Sequence, residues 1–237
     1  MWHFHQRLQP FTAISFDLDD TLYDNAPVIQ RAEQLLADHI ATAWPSVSDL
    51  DAHAWRKLRD AVAAEDAELA SDMTALRLAT LTRGLTERGI SLHKAKALAS
   101  EGMEVFLHAR NDVLIAPEVH TLLAELATRY PLVAVSNGNA DIYRLGLGDY
   151  FERAFHPGEG RRGKPYSDLF VAAGAHLQLA QPMHLLHVGD HPVSDVQGAL
   201  RYGAQAIWFA PKAPPVEMTR LPHATIEDLH ALRHLLT

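Results

Sequence analysis

Three aspartates, Asp17, Asp19 and Asp20, follow the short apolar run Ala13-Ile14-Ser15-Phe16, which reads as a buried strand. Folding gains nothing from crowding like charges, so the cluster needs a counter-charge. Closely spaced oxygen ligands in a chain without cysteine favour a hard divalent ion, Mg²⁺ before Zn²⁺. Asp17 and Asp19 lie two apart and face the same side if the strand geometry continues. One can then attack as a nucleophile while its neighbour moves protons. An acidic turn after a strand would use the same residue types, so the stretch needs partners from elsewhere in the chain.

Those partners follow two more apolar runs. Leu132-Val133-Ala134-Val135 ends in Ser136-Asn137-Gly138-Asn139, and Leu185-Leu186-His187-Val188 ends in Gly189-Asp190. Lys164-Pro165 is expected to open a helix running to about Leu177. In an open parallel sheet the ligand sits beyond the carboxyl ends of the strands, so one rim would gather all these pieces. A hydroxyl, backbone N–H groups and an ammonium suit a phosphate, and Asp17 and Asp190 suit its metal. Phosphoryl transfer is mostly positioning plus charge neutralisation, which is what such a rim supplies.

The elements that must hold the rim are legible in outline. From Pro27 to Ala43, Val28, Ala32, Leu35, Leu36, Ile40 and Ala43 recur at helical spacing. A second helix is expected from Asp51 to Leu69, and a third, capped at Ser71-Asp72, up to Gly89. Gly84 is a weak spot in that third helix. Ser91 can cap a fourth running through Phe106. Four amphipathic helices in succession read as a small bundle. From Val113 onward strands alternate with helices. Helices are expected at Pro117–Tyr130, Asp141–Leu147, Val193–Tyr202 and Ile226–Leu236, with a loop at Pro211, Pro214 and Pro215. A short strand is expected near Ala154-Phe155 and a last one at Ala206–Phe209. The fold class is α/β: a Rossmann-like parallel sheet with helices on both faces, interrupted by the bundle. The expected division is 1–24 and 111–237 for the α/β core and 25–110 for the helical insertion.

Composition sets the outer bounds. The chain has 237 residues, 48% hydrophobic and 21% charged, which suits a globular protein able to bury a sizeable core. A net charge of −8 argues against a nucleic-acid partner. The absence of cysteine excludes disulfides and thiolate metal sites and fits a reducing compartment. No apolar run suffices for a membrane span or a signal peptide, so a cytoplasmic monomer or homodimer is expected.

With these residues in view, the sequence resembles the haloacid dehalogenase superfamily. Asp17-Leu18-Asp19-Asp20-Thr21 matches its first motif, Ser136-Asn137 the second, Lys164 the third and Gly189-Asp190-His191-Pro192-Val193-Ser194-Asp195 the fourth. The insertion after the first motif resembles the superfamily's helical C1 cap. Further similarity is to the bacterial members acting on 5-amino-6-(5-phospho-D-ribitylamino)uracil and FMN, in riboflavin biosynthesis. It rests on Phe16 to Asn25, Ser136 to Ala140, Leu147 to Glu152 and Lys164 to Asp168.

The resemblance implies a Mg²⁺-dependent phosphatase of small phosphorylated metabolites. Asp17 would attack phosphorus and become an aspartyl-phosphate, and Asp19 would serve as general acid, then base. Mg²⁺ would be held by Asp17, Asp190 and the backbone carbonyl of Asp19. Ser136, Lys164 and the backbone N–H groups of Leu18 and Asn137 would hold the phosphoryl group. Asp195 would support the metal or anchor Lys164. Family dehalogenases and phosphonatases lack an aspartate at position 19, so its presence favours a phosphatase or phosphomutase. His191 stands where the family often has a small or acidic residue.

Simpler readings exist for single residues. Ser136 alone reads as a helix cap, Lys164 as a solvated lysine and Asp195 as a helix cap. His187 reads as a satisfied core residue, His191 as surface or site rim, Tyr23 and Tyr166 as packing, and Arg161 and Arg162 as loop charges. Two alternative functions remain: a phosphomutase or a nucleotide or sugar phosphatase of the same superfamily, and a non-catalytic phosphate-binding module.

Overall fold

The computed structural model describes residues 1–211 and 220–236. Two compact units are distinguished, one of Met1–Asp24 with the chain from Leu114 on, the other of Asn25–Val113. The boundary falls at 113/114, three residues past the expected 110/111. No helix among the described residues is long and apolar enough to cross a membrane.

The first unit holds seven strands: β1 Trp2–Phe4, β2 Ala13–Phe16, β3 Leu132–Val135, β4 Phe151–Phe155, β5 Leu185–Gly189, β6 Gln205–Phe209 and β7 Ala224–Ile226. They form one sheet in the order β1-β7-β6-β5-β2-β3-β4, parallel except where β1 runs antiparallel to β7. Every residue of β2, β3 and β5 is buried, as a parallel sheet covered on both faces requires. The register sets Phe16 beside Ala134 on one side and Val188 on the other. The residues that follow β2, β3 and β5 therefore leave the sheet side by side. Strand order runs from β2 toward β3 and β4, then reverses to β5 and β6, so the topological switch point lies at β2.

Helices α6 Pro117–Ala127, α7 Asp168–His176 and α8 Gly198–Tyr202 link the strands. Pro117 opens α6, where its missing N–H costs no hydrogen bond, and Leu122, Leu123 and Leu126 are buried. Leu169, Phe170 and Ala173 of α7 and Ala199 and Leu200 of α8 pack with Val133, Val135 and Leu185 of the sheet. Each fully buried leucine or phenylalanine here is worth about 1.5–3 kcal/mol.

The second unit comprises α1 Ala26–Ala43, α2 Ala52–Glu65, α3 Ala67–Ser71, α4 Met73–Glu87 and α5 Leu92–Arg110. Ala32, Leu36 and Ile40 of α1 meet Ala95, Ala99, Met103 and Phe106 of α5, with Trp44, Val47, Leu81 and Leu85 completing the core. Gly84 is where the Trp55 ring packs on α4. A Cβ there would lie 2.6 Å from two ring carbons, so the glycine that weakens the helix admits the indole.

Several expected elements differ. The helix expected from Asp51 to Leu69 is two, because the Asp66 carboxylate accepts from the N–H groups of Glu68 and Leu69 and starts α3. Asp72 caps α4, whereas the Ser91 side chain makes no capping hydrogen bond on α5. Asp141–Leu147 forms turns rather than a helix, with the Asp141 carboxylate accepting from Tyr143 N. Lys164 lies in a loop ahead of α7, which begins at Asp168; the Lys164–Pro165 peptide is cis. The stretch before α8 is a π-helical turn, Pro192–Gln197. Ile226 belongs to β7, and the closing helix is a 3₁₀ segment, Leu229–Leu236. Pro211 ends the described segment, and Pro214 and Pro215 lie outside the described residues.

Candidate active site

Lys164 is the centre of the buried polar cluster at the rim. Its ammonium donates to Asp17 Oδ1 at 2.7 Å, to the Val135 carbonyl at 2.6 Å and to Asp195 Oδ1 at 2.5 Å. Three donors thus meet three acceptors, and the side chain is only 1% exposed. Burial opposes the charged form, but the Asp17 and Asp195 charges outweigh it and raise the Lys164 pKa. Asn137 fixes the lysine's backbone: its Nδ2 donates to Lys164 O at 2.7 Å and its Oδ1 accepts from Lys164 N at 2.6 Å.

Asp195 comes from the π-helical turn and is the most fully satisfied carboxylate. Oδ1 also accepts from His187 Nε2 at 3.0 Å, and Oδ2 from His191 N at 2.9 Å. Burial alone would raise its pKa. The Lys164 charge and the His187 hydrogen bond overcome burial and hold it well below the usual carboxylate range. Gly189 makes room for it, since a Cβ there would lie 2.3 Å from Asp195 Cγ. His187 must carry its proton on Nε2 to donate to Asp195, which leaves Nδ1 to accept from Ser15 Oγ at 2.9 Å. Burial lowers its pKa and keeps it neutral.

Asp17 has the opposite fate. Burial is the largest influence and Lys164 offsets only part of it, while Asp195 and Asp19 add repulsion, pushing its pKa up to about 8. Asp190, at the end of β5, is raised to about 6 by burial, then by Asp195 and Asp20. Carboxylate oxygens of Asp17, Asp190 and Asp195 lie within 4.8 Å of one another. Asp195 already spends both oxygens on protein donors. Asp17 and Asp190 therefore have the freer atoms for a cation.

This donor set fits a metal such as Mg²⁺. All the atoms are hard oxygens, they are crowded enough to resist ionisation, and one lysine charge faces three carboxylates. Asp17 and Asp190 would hold the ion directly.

The rim thus brings together Asp17, Lys164, Asp190 and Asp195, with Ser136 and Asn137 on the adjoining turn. Ser136 Oγ accepts from Gly138 N at 3.2 Å. Among the described residues, the backbone N–H groups of Leu18 and Asn137 have no hydrogen-bond acceptor. Asp19 is not part of the three-carboxylate cluster. Its Oδ1 accepts from Tyr23 Oη at 2.5 Å, so Asp17 and Asp19 have different partners despite their spacing. Asp20, next to it, takes a left-handed φ of 57° as the chain turns away from β2.

Sequence reasoning missed three contacts. Tyr23, read as packing, holds the Asp19 carboxylate; the i, i+4 spacing was the available signal. His187, read as a core residue, is buried but also bonds Asp195. His156, which follows β4, hydrogen-bonds the Gly138 carbonyl through Nδ1 at 2.8 Å. His191 has a local role: its Nδ1 accepts from Val193 N and Ser194 N and caps the π-helical turn. Arg161 and Arg162 pair with Glu159 and Asp168 as loop charges, and Arg162 lies over the Tyr166 ring.

The family model for haloacid dehalogenase-like hydrolases matches residues 11–203. A 5-amino-6-(5-phospho-D-ribitylamino)uracil phosphatase of Escherichia coli, YigB, is 36% identical over 98% of this chain and 99% of its own length. A phosphoserine phosphatase of Thermus thermophilus is 32% identical over 61% of this chain and 59% of its own. Among solved structures, a 2-haloacid dehalogenase from Pseudomonas syringae pv. tomato superposes with a TM-score of 0.89 at 38% identity, covering 95% of this chain and 98% of that one.

Proposed function

This chain belongs to the haloacid dehalogenase-like hydrolase family and is a phosphoric monoester hydrolase, and on that premise we propose that it hydrolyses small phosphomonoesters with Mg²⁺ through an aspartyl-phosphate on Asp17. The substrates proposed are 5-amino-6-(5-phospho-D-ribitylamino)uracil, FMN or close relatives, in riboflavin biosynthesis in the cytoplasm. The observation that carries the mechanism is the buried Asp17–Lys164–Asp195 contact beside Asp190, at the switch point of a parallel sheet.

The chain's own groups divide the reaction as follows. A carboxylate oxygen of Asp17 attacks phosphorus as the bond from phosphorus to the alkyl oxygen breaks. Lys164, the Ser136 hydroxyl and the N–H groups of Leu18 and Asn137 offset charge on the phosphoryl oxygens. Asp19 gives its proton to the leaving oxygen, and Tyr23 fixes the carboxyl that does so. Water then attacks phosphorus, the Asp17–phosphorus bond breaks, and Asp19 takes the water's proton. Bound at Asp17 and Asp190, Mg²⁺ would neutralise Asp17 and let it approach an anionic ester. Asp195, saturated by Lys164, His187 and the His191 N–H, orients Lys164.

A dehalogenase reading is favoured by the name of the Pseudomonas protein and disfavoured by Asp19, which displacement of halide from carbon does not need. A phosphomutase would use the same residues but retain the phosphate. The deciding experiment is a screen of phosphorylated metabolites, with 2-chloropropionate alongside. Mg²⁺-dependent phosphate release, lost in EDTA and absent in Asp17→Asn, is expected. Halide release without phosphatase activity, or full turnover in excess EDTA, would overturn the proposal.

A further inference from the structure

The helical unit contains a cavity of about 130 Å³ among α1, α2 and α4. A cavity of roughly 150 Å³ holds one benzene ring, so this one admits a single aromatic ring. Leu36, Ile40 and Leu76 give it an apolar floor, and Trp55 forms one wall. The indole reaches α4 at Gly84, which has no side chain to keep it away. Three arginines, Arg56, Arg59 and Arg77, line the cavity against one acid, Glu33.

Arg77 is the unusual member. Its side chain is only 16% exposed, and its guanidinium carbon sits 3.6 Å from the centroid of the Phe106 ring. The ring satisfies one face of the guanidinium and leaves the edges, where all five N–H donors point. Among the described residues its carboxylate partner is Glu33, at 3.6 Å, beyond the roughly 2.7–2.9 Å of a charge-assisted hydrogen bond. Glu33 is itself half exposed, and Arg59 already has Asp60 at 2.9 Å. Burial, reinforced by Arg59 and Arg110 and opposed by Glu33, pulls the Arg77 pKa down to about 10. A largely buried cation stacked on one ring, with its carboxylate partner at 3.6 Å and an apolar cavity beside it, is placed to receive an anion.

We propose that this cavity takes one aromatic ring of a molecule that bears an anionic group, the ring against Trp55 and the aliphatic floor and the anion on the Arg77 guanidinium. Packing alone would account for a buried Arg77, but it would supply acceptors to the guanidinium edge and leave no room beside it. The site lies wholly within the helical unit and is additional to the phosphate chemistry of the rim.

A pair of fluorescent probes tests this with the full-length protein. Anilinonaphthalene sulfonate is aromatic and anionic; N-phenyl-naphthylamine is its neutral counterpart. The sulfonate should occupy one saturable site, with energy transfer from tryptophan that falls in Trp55→Phe. Arg77→Met keeps the apolar contacts but removes the charge. It should weaken the sulfonate about tenfold or more and leave the neutral probe within about twofold. Ala37→Phe, which fills the cavity from α1, should expel both probes while the thermal melt is unchanged. Orthovanadate, an analogue of the transferring phosphoryl group, should displace neither. Sulfonate binding unaltered in Arg77→Met, equal loss of both probes in that variant, binding that survives Ala37→Phe, or displacement by orthovanadate would each overturn the proposal.

Discussion

Lys164 and Arg77 are both largely buried cations, and they are treated in opposite ways. Lys164 meets three acceptors at 2.5–2.7 Å and sits among carboxylates that outnumber it. Arg77 has a ring at 3.6 Å and one carboxylate at 3.6 Å, and sits among arginines. The first arrangement fixes geometry and leaves a local excess of negative charge, so the ligand it favours is a cation. The second gathers positive charge with one loosely held carboxylate beside apolar surface, so it favours an anion. Burial costs both charges; what differs is whether the protein itself supplies the compensation.

The largest expected effect breaks the comparison at its acidic end. Asp17→Asn keeps the shape and one acceptor for Lys164 but removes the attacking oxygen. Turnover should fall by about 10⁴–10⁶, the scale of losing a nucleophile, and the acid-stable, hydroxylamine-sensitive phosphoenzyme should vanish. Labelled phosphate trapped on Asp19 instead would reverse the assignment. Arg77→Met should leave turnover of nitrophenyl phosphate within about threefold, because Arg77 belongs to the other kind of site.

Next comes Asp19, which Tyr23 holds away from the three-carboxylate cluster. General acid–base help is typically worth about 10²–10⁴-fold. An alkyl phosphate such as FMN expels a poor leaving group and needs the proton; nitrophenyl phosphate expels a stable phenolate and needs it far less. Phosphoenzyme formation by Asp19→Asn should therefore drop steeply with FMN and mildly with nitrophenyl phosphate. Rapid-quench measurement of the first turnover separates this step from hydrolysis. Equal losses would remove Asp19 from the acid role.

Stability sharpens the contrast between the two cations directly. Lys164→Met leaves Asp195 and Asp17 buried without their cation, a change that costs about 3–5 kcal/mol when a buried pair loses one partner. Arg77→Met removes a charge that was poorly paired, so its cost should stay within about 1 kcal/mol. Urea denaturation of both variants in EDTA measures the difference. Similar losses would mean that Arg77 is as well compensated as Lys164.

The rim was legible from sequence and the helical cavity was not, for a physical reason. Asp17, Ser136 and Asp190 each follow an apolar run, and parallel strands bring such positions together whatever the loops do. Tyr23 and His187 needed contact information: one bonds four residues back, the other joins Ser15 and Asp195 across β2 and β5. The short strands β1 and β7 escaped because three residues are too few for a period-2 pattern. Asp66 was invisible as a break because Leu69 continues the apolar spacing of α2, while the carboxylate cap decides where the chain turns. Nothing in the sequence singles out Arg77 among the arginines; only packing shows its guanidinium over the Phe106 ring.

The smallest expected effect is in the pH dependence of stability without metal. Asp17 moves from its ordinary 3.8 to about 8 on folding, so the folded protein binds this proton more tightly than the unfolded chain. The stability it contributes is full below about pH 4 and is lost as pH rises through about 8. Asp190, raised to about 6, adds a loss that is complete by about pH 6. Asp195 acts in the opposite sense, since its lowered pKa gives stability above 3.8 that is lost as the solution becomes strongly acidic. In EDTA the wild type should therefore weaken between about pH 5 and 9, and Asp17→Asn should weaken less across the same window. Mg²⁺ competes with the proton for Asp17 and Asp190, so the stabilisation it gives should grow with pH in the wild type and grow less in the variant. Arg77→Met should keep the wild-type slope, because Arg77 stays charged until about pH 10. Equal slopes for the wild type and Asp17→Asn would mean that Lys164 compensates Asp17 fully, and the acidic rim would then have no unmet charge for a cation to answer.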